Sequence, residues 1–102
     1  METFLVILRR AGPQWEAGRP MEEQSGWPDH ADFMDGLVEA GFILLGGPLS
    51  DAIRTAHVVQ AQSADEVRDT LARDPWSESH LLIDAIEPWT IRLDARELRR
   101  AT

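Results

Sequence analysis

Three histidines, 18 acidic side chains and a set of hydroxyls are the groups in this 102-residue chain able to move a proton or attack an electrophile, since cysteine and tyrosine are both absent. Of these, imidazole is best suited to proton transfer near neutral pH. His30 falls in the first turn or so of an expected helix, on the side of Met34 and Leu37, so its ring should face inward or onto a cleft edge. The positive end of the helix dipole would favour its neutral, basic form. On position alone, a histidine that merely packs and hydrogen-bonds near a helix start is the commoner reading. Asp74 sits at the end of a second expected helix, with Pro75 and Trp76 beside it. A carboxylate among large apolar groups can orient an imidazole and stabilise its protonated form. A helix-terminating residue that caps nearby amides is the commoner alternative.

Gly46 and Gly47 fall where a strand is expected to end, and glycines there permit unusual dihedrals or close approach of a ligand to consecutive amides. A turn would explain them equally well. Arg19, in the Gly- and Pro-containing stretch 11–21, is a candidate to receive an anionic group. Trp15, Trp27, Trp76 and Trp89 could wall a pocket, fill a dimer interface or cover a small core. His57 and His80 show no local spacing typical of metal ligands, so no metal is expected. No serine lies in a GxSxG elbow, and no cofactor motif is present.

The elements that must position these residues follow from hydropathy. TFLVIL at 3–8 is a strand. A helix begins between Glu22 and Pro28, carries Phe33, Met34, Leu37 and Val38 on one stripe, and ends at Gly41 as its C-cap. Either Glu22 to Ser25 is a separate turn or the helix bends at Trp27. Residues 42–45 and 53–61 form a hairpin. Ser63 and Glu66 match a capping box for a second helix that closes at Asp74-Pro75. The stretch 81–93 alternates as a long last strand interrupted near Pro88. The order strand, helix, strand, strand, helix, strand is that of ferredoxin-like α+β domains with an antiparallel sheet. Helices cover one sheet face, and the other calls for a second copy, which makes a homodimer the expectation.

A chain this short builds one core. We divide it into a domain at 1–95 and a charged tail at 96–102. The net charge of −8 is spread along the chain and argues against nucleic acid as a partner. The apolar run at the start reads as a strand rather than a signal peptide, and no run is long enough to cross a membrane, so a cytoplasmic location is expected.

Three blocks in order carry a family resemblance: HADFMDGLVEAGFILLGGP, ADEVRDTLARDPW, and the late strand ending at Glu87-Pro88-Trp89. Together they span most of residues 29–89 and resemble the YCII-related family. The resemblance implies a ferredoxin-like fold that dimerises into an α+β barrel with a pocket in each protomer. It also implies that His30 and Asp74 meet in that pocket as an acid–base pair. The loop between Gly12 and Trp27 is longer than in shorter members and could cover the pocket.

The expectation is a cofactor-independent protein that binds a small molecule and uses His30 and Asp74 on a small organic acid or phenol, in lyase, isomerase or hydrolase-type chemistry. Gly46, Gly47, Arg19, Trp76 and Trp27 would contact the substrate. The alternative is a dimeric ligand-binding or regulatory module without turnover.

Overall fold

The computed structural model describes residues 1–95. The tail expected at 96–102 lies outside the described residues. Four strands, β1 (Glu2–Arg9), β2 (Ile43–Pro48), β3 (Arg54–Ala61) and β4 (Leu82–Pro88), form one antiparallel sheet in the order β2-β3-β1-β4. Two helices, α1 (Trp27–Glu39) and α2 (Ala64–Leu71), follow β1 and β3. The architecture is α+β and compatible with the ferredoxin-like arrangement. No helix among the described residues is long and apolar enough to cross a membrane.

Period-two alternation decides the sheet faces. Phe4, Val6 and Leu8 of β1 are buried on one face, and their partners across β3 include Val59 and Thr55, buried on the same side. Val67 and Leu71 from α2 and Met34 and Leu37 from α1 close over that face. Phe4, Val6, Val59 and Val67 are almost fully enclosed. Each such side chain contributes about 1.5–3 kcal/mol of transfer free energy.

Both helices have explicit ends. Ser63 accepts the Glu66 amide at 3.1 Å, and Glu66 Oε1 reaches back to the Gln62 amide at 3.1 Å. This is the expected capping box, displaced by one residue on its return bond. The α1 helix starts from Gly26, in the left-handed region at φ 75°, with Pro28 in the first turn, where a missing N–H costs nothing. Met21–Glu23 is a separate 3-10 turn, so the helix does not bend at Trp27. Gly41 is not the cap itself but the residue after it. Ala40 is the cap, and Gly41 at φ 79° lets the Phe42 amide reach the Leu37 carbonyl at 2.9 Å.

Two expectations are corrected. Strand β2 runs through Gly46, Gly47 and Pro48 instead of ending before them, since all three pair with β3. The last strand stops at Pro88 and does not continue to Leu93. Its single parity is also broken by a bulge at Asp84: Ile83 pairs with Leu8 and Ala85 with Ile7. Ile86 is thereby placed beside Val6 and packs on the core.

The far sheet face carries Leu5, Ile7 and Val58, half-buried, and Leu45, which is 65% exposed. A cavity of about 580 Å³ lies there, between Leu45, Val58 and the segment 89–95.

Candidate functional site

The turn that follows α2 builds one half of the site. Asp74 Oδ1 accepts the Trp76 amide at 2.9 Å, and the Asp74 carbonyl accepts the Ser77 amide at 2.9 Å. The carboxylate thus caps the turn, as its structural reading requires. The same carboxylate also faces His30, whose Nδ1 stands 2.9 Å from both Oδ1 and Oδ2. A carboxylate only accepts, so Nδ1 donates and Nε2 keeps its lone pair when the ring is neutral. Both side chains are buried, His30 at 5% exposure and Asp74 at 7%.

Trp76 is the floor of this arrangement and is itself enclosed at 1% exposure. Its indole stacks on His30, with 4.1 Å between centroids and 9° between planes, and also stacks against His80 at 4.6 Å and 14°. Trp76 Nε1 donates to the Ser25 carbonyl at 2.8 Å, which ties the start of α1 to the turn that holds Asp74. Trp15 meets Trp76 edge-on at 5.8 Å, and Trp27 is tilted against both Trp76 and His30 at 5.7 Å. Three of the four tryptophans therefore build the site's support. Trp89 lies on the far sheet face, among the residues that line the larger cavity.

A cavity of about 310 Å³ opens beside His30. Met21, Trp27, Met34, Val38 and Ile43 supply its apolar wall. Gly46 and Gly47 line it from β2, so the structure brings both glycines to His30, on a strand instead of at a turn. Trp27 is also at the cavity, whereas Trp76 lies beneath His30 and does not line it. Arg19 is elsewhere: it is exposed, its Nε is 3.7 Å from Glu16 Oε2, and it lines a separate recess with Glu16 and Glu23.

His57 is the residue that sequence reasoning missed, having weighed it only as a metal ligand. It lines the same cavity as His30. Its parity with Thr55 and Val59 was the available signal, because alternation in β3 points it toward the helices. Gly46 stands opposite it in the ladder, and a Cβ there would come within 2.4 Å of His57 Cδ2. Gly46 is thus required by the His57 ring. Burial holds the His57 imidazole below the usual histidine range, and the charge of His30 pushes the same way. His80, bonded to the Ser25 and Ser79 hydroxyls at 2.9 and 2.8 Å, is lowered by the same two causes in the same order.

The long loop is internally stapled. The buried Gln24 amide donates to the Glu16 and Arg19 carbonyls at 2.8 and 2.9 Å, and its Oε1 accepts the Glu16 amide at 2.9 Å. Nothing in the sequence pattern pointed to Gln24. No group of three or more histidines and carboxylates suited to a metal ion occurs among the described residues.

Taken together, the geometry supplies an imidazole with one nitrogen fixed by a carboxylate and the ring edge at a small, mainly apolar cavity. Such an arrangement can accept or deliver one proton to a bound molecule. No curated protein and no solved structure matches the chain significantly. The family model described as the YCII-related domain matches residues 3–90, and the chain belongs to that family.

Proposed function

We propose that the domain is a small, cofactor-independent acid–base catalyst in which His30 exchanges a proton with a small organic acid or phenol and Asp74 orients and compensates the ring. The observation that carries this is the 2.9 Å approach of Nδ1 to both Asp74 oxygens in a histidine that also lines a cavity. Lyase, isomerase and hydrolytic dehalogenation steps can all be initiated by a proton transfer of this kind. Trp27 and Met34 supply the apolar wall, and Gly47, whose missing Cβ leaves open space, allows a ligand to approach the β2 backbone.

Wild type, His30→Gln and Asp74→Asn, incubated with small organic acids and phenols in heavy water and followed by NMR, test this reading. Turnover or hydrogen exchange that falls in both variants is the expected result. Turnover unchanged in His30→Gln would overturn it, and ligand binding without turnover in wild type would favour a binding module.

The domain also pairs, in this reading, as a homodimer through the far sheet face. The support is the row of apolar side chains there, Leu5, Ile7, Leu45 and Val58, which neither α1 nor α2 covers. A strictly monomeric species in sedimentation at micromolar concentration contradicts it.

A further inference from the structure

We infer that His57 is a second ligand-contacting residue of the His30 cavity, and that this cavity takes an uncharged hydroxyl compound with an apolar body in preference to a carboxylate anion. The inference rests on the His30 site proposed above and narrows what that site accepts.

Charge is the first reason. Among the described residues no arginine lines the cavity, the chain has no lysine, and Arg19 faces a different recess. Among the described residues, the charged groups that bear on the cavity are Asp35, which lines it from α1, and Asp74, bonded to His30 Nδ1. Protonation of His30 completes an ion pair with Asp74 and leaves no surplus positive charge for a bound anion. His57 does not supply that charge either. The ring is half-buried, its Nδ1 has no hydrogen-bond partner, and burial together with His30 disfavours its protonated form. An anion entering between Met21, Trp27, Met34 and Val38 would lose its hydration without a counter-charge.

Hydrogen-bond matching is the second reason. A neutral imidazole offers one donor and one acceptor, and His30 presents its acceptor nitrogen once Nδ1 donates to Asp74. A hydroxyl both donates and accepts, so it can complement His30 and His57 together, whichever nitrogen of His57 carries the proton. A carboxylate accepts only, and meets a lone pair at His30. The space for the His57 ring is itself maintained, since Gly46 is the ladder partner whose missing Cβ leaves room for it.

Benzyl alcohol and benzoate, which share a body and differ in the polar group, are the probes. Each is titrated into the full chain at about pH 7.5, with the Trp27 indole and the His57 ring protons observed by NMR. Benzyl alcohol should shift both sets of signals and bind at least ~10-fold more tightly than benzoate, a difference of about 1.4 kcal/mol. His57→Phe, which keeps a ring in place, should weaken benzyl alcohol ~10-fold, and His57→Gln should restore part of the loss. Equal or tighter benzoate binding, unchanged binding in His57→Phe, or no binding of either probe up to about 20 mM would each overturn the inference. If His57→Phe does not fold, the wild-type comparison decides alone. The readout needs no turnover, so a protein that prefers the alcohol yet shows no His30-dependent chemistry sinks the catalytic reading and leaves this one standing.

Discussion

The ring of His30 lies flat on the indole of Trp76, 4.1 Å between centroids and 9° from parallel, while its Nδ1 reaches the Asp74 carboxylate two positions earlier in the same turn. One short segment thus provides both the surface that sets the plane of the imidazole and the group that sets its tautomer. Asp74 Oδ1 also holds the Trp76 amide, so the carboxylate is tied to the residue that carries the indole by a bond that does not involve His30.

Asp74→Asn separates those roles. The amide oxygen can still accept from Trp76, so the turn should survive, with a thermal midpoint within a few degrees of wild type. The charge opposite His30 is lost, and any His30-dependent turnover should fall by roughly 10²–10⁴-fold. Midpoint and rate measured on one preparation check both halves.

Stability should fall as pH falls below 6.5. His57 and His80 are both held below that ordinary value by burial, with the charge of His30 adding to it. In the window between 6.5 and their lower folded values, the unfolded chain binds more protons than the folded one, so acid favours unfolding there. Above 6.5 both are neutral in both states and the effect vanishes. Urea midpoints should drop between about pH 7.5 and pH 5, and the slope should flatten in the double variant His57→Gln, His80→Gln.

Gly12→Ala tests how the long loop is anchored. A Cβ at Gly12 would lie 2.3 Å from the Ser79 carbonyl oxygen and 2.5 Å from the His80 nitrogen, both backbone atoms. The approach is needed because the Gly12 and Gln14 amides donate to the His80 and Ser79 carbonyls. A loss of about 3 kcal/mol is expected in urea unfolding, and a loss under 1 kcal/mol would show that the segment shifts freely.

Gln24→Ala removes three hydrogen bonds from inside the loop. At about 1 kcal/mol net for each, the variant should lose roughly 2–3 kcal/mol. Limited proteolysis should then cut within residues 13–24 well before the rest of the domain opens.

Thr55→Val should stabilise. Thr55 is buried at 3% exposure, and its Oγ1 has no hydrogen-bond partner. Replacing the hydroxyl by a methyl removes an unsatisfied polar atom at nearly constant volume, for a gain of about 1 kcal/mol in chemical denaturation.

Much of this was legible in the sequence, for identifiable reasons. The apolar, strand-forming run TFLVIL marks β1, and the Ser63 and Glu66 spacing marks the start of α2, because both signals are local. Gly46 and Gly47 were misplaced at a strand end because a glycine pair reads as a turn unless one knows that a histidine ring lies across it. The single parity expected of the last strand fails because its bulge at Asp84 depends on register with β1, which no local pattern encodes. His30 and Asp74 were each ambiguous alone, and their meeting depends on chain segments 44 positions apart. His57 carried a readable parity, but only the packing of α1 over β2 and β3 turns an inward histidine into a cavity wall.

The tautomer of His30 tests the acid–base assignment most directly. In nitrogen-15 NMR of the free protein at about pH 8, the neutral ring should carry its proton on Nδ1, donated to Asp74, with Nε2 showing the shift of an unprotonated nitrogen. In Asp74→Asn that bias should weaken. A wild-type His30 protonated on Nε2 would present no lone pair to the cavity, and would contradict its role as the proton acceptor.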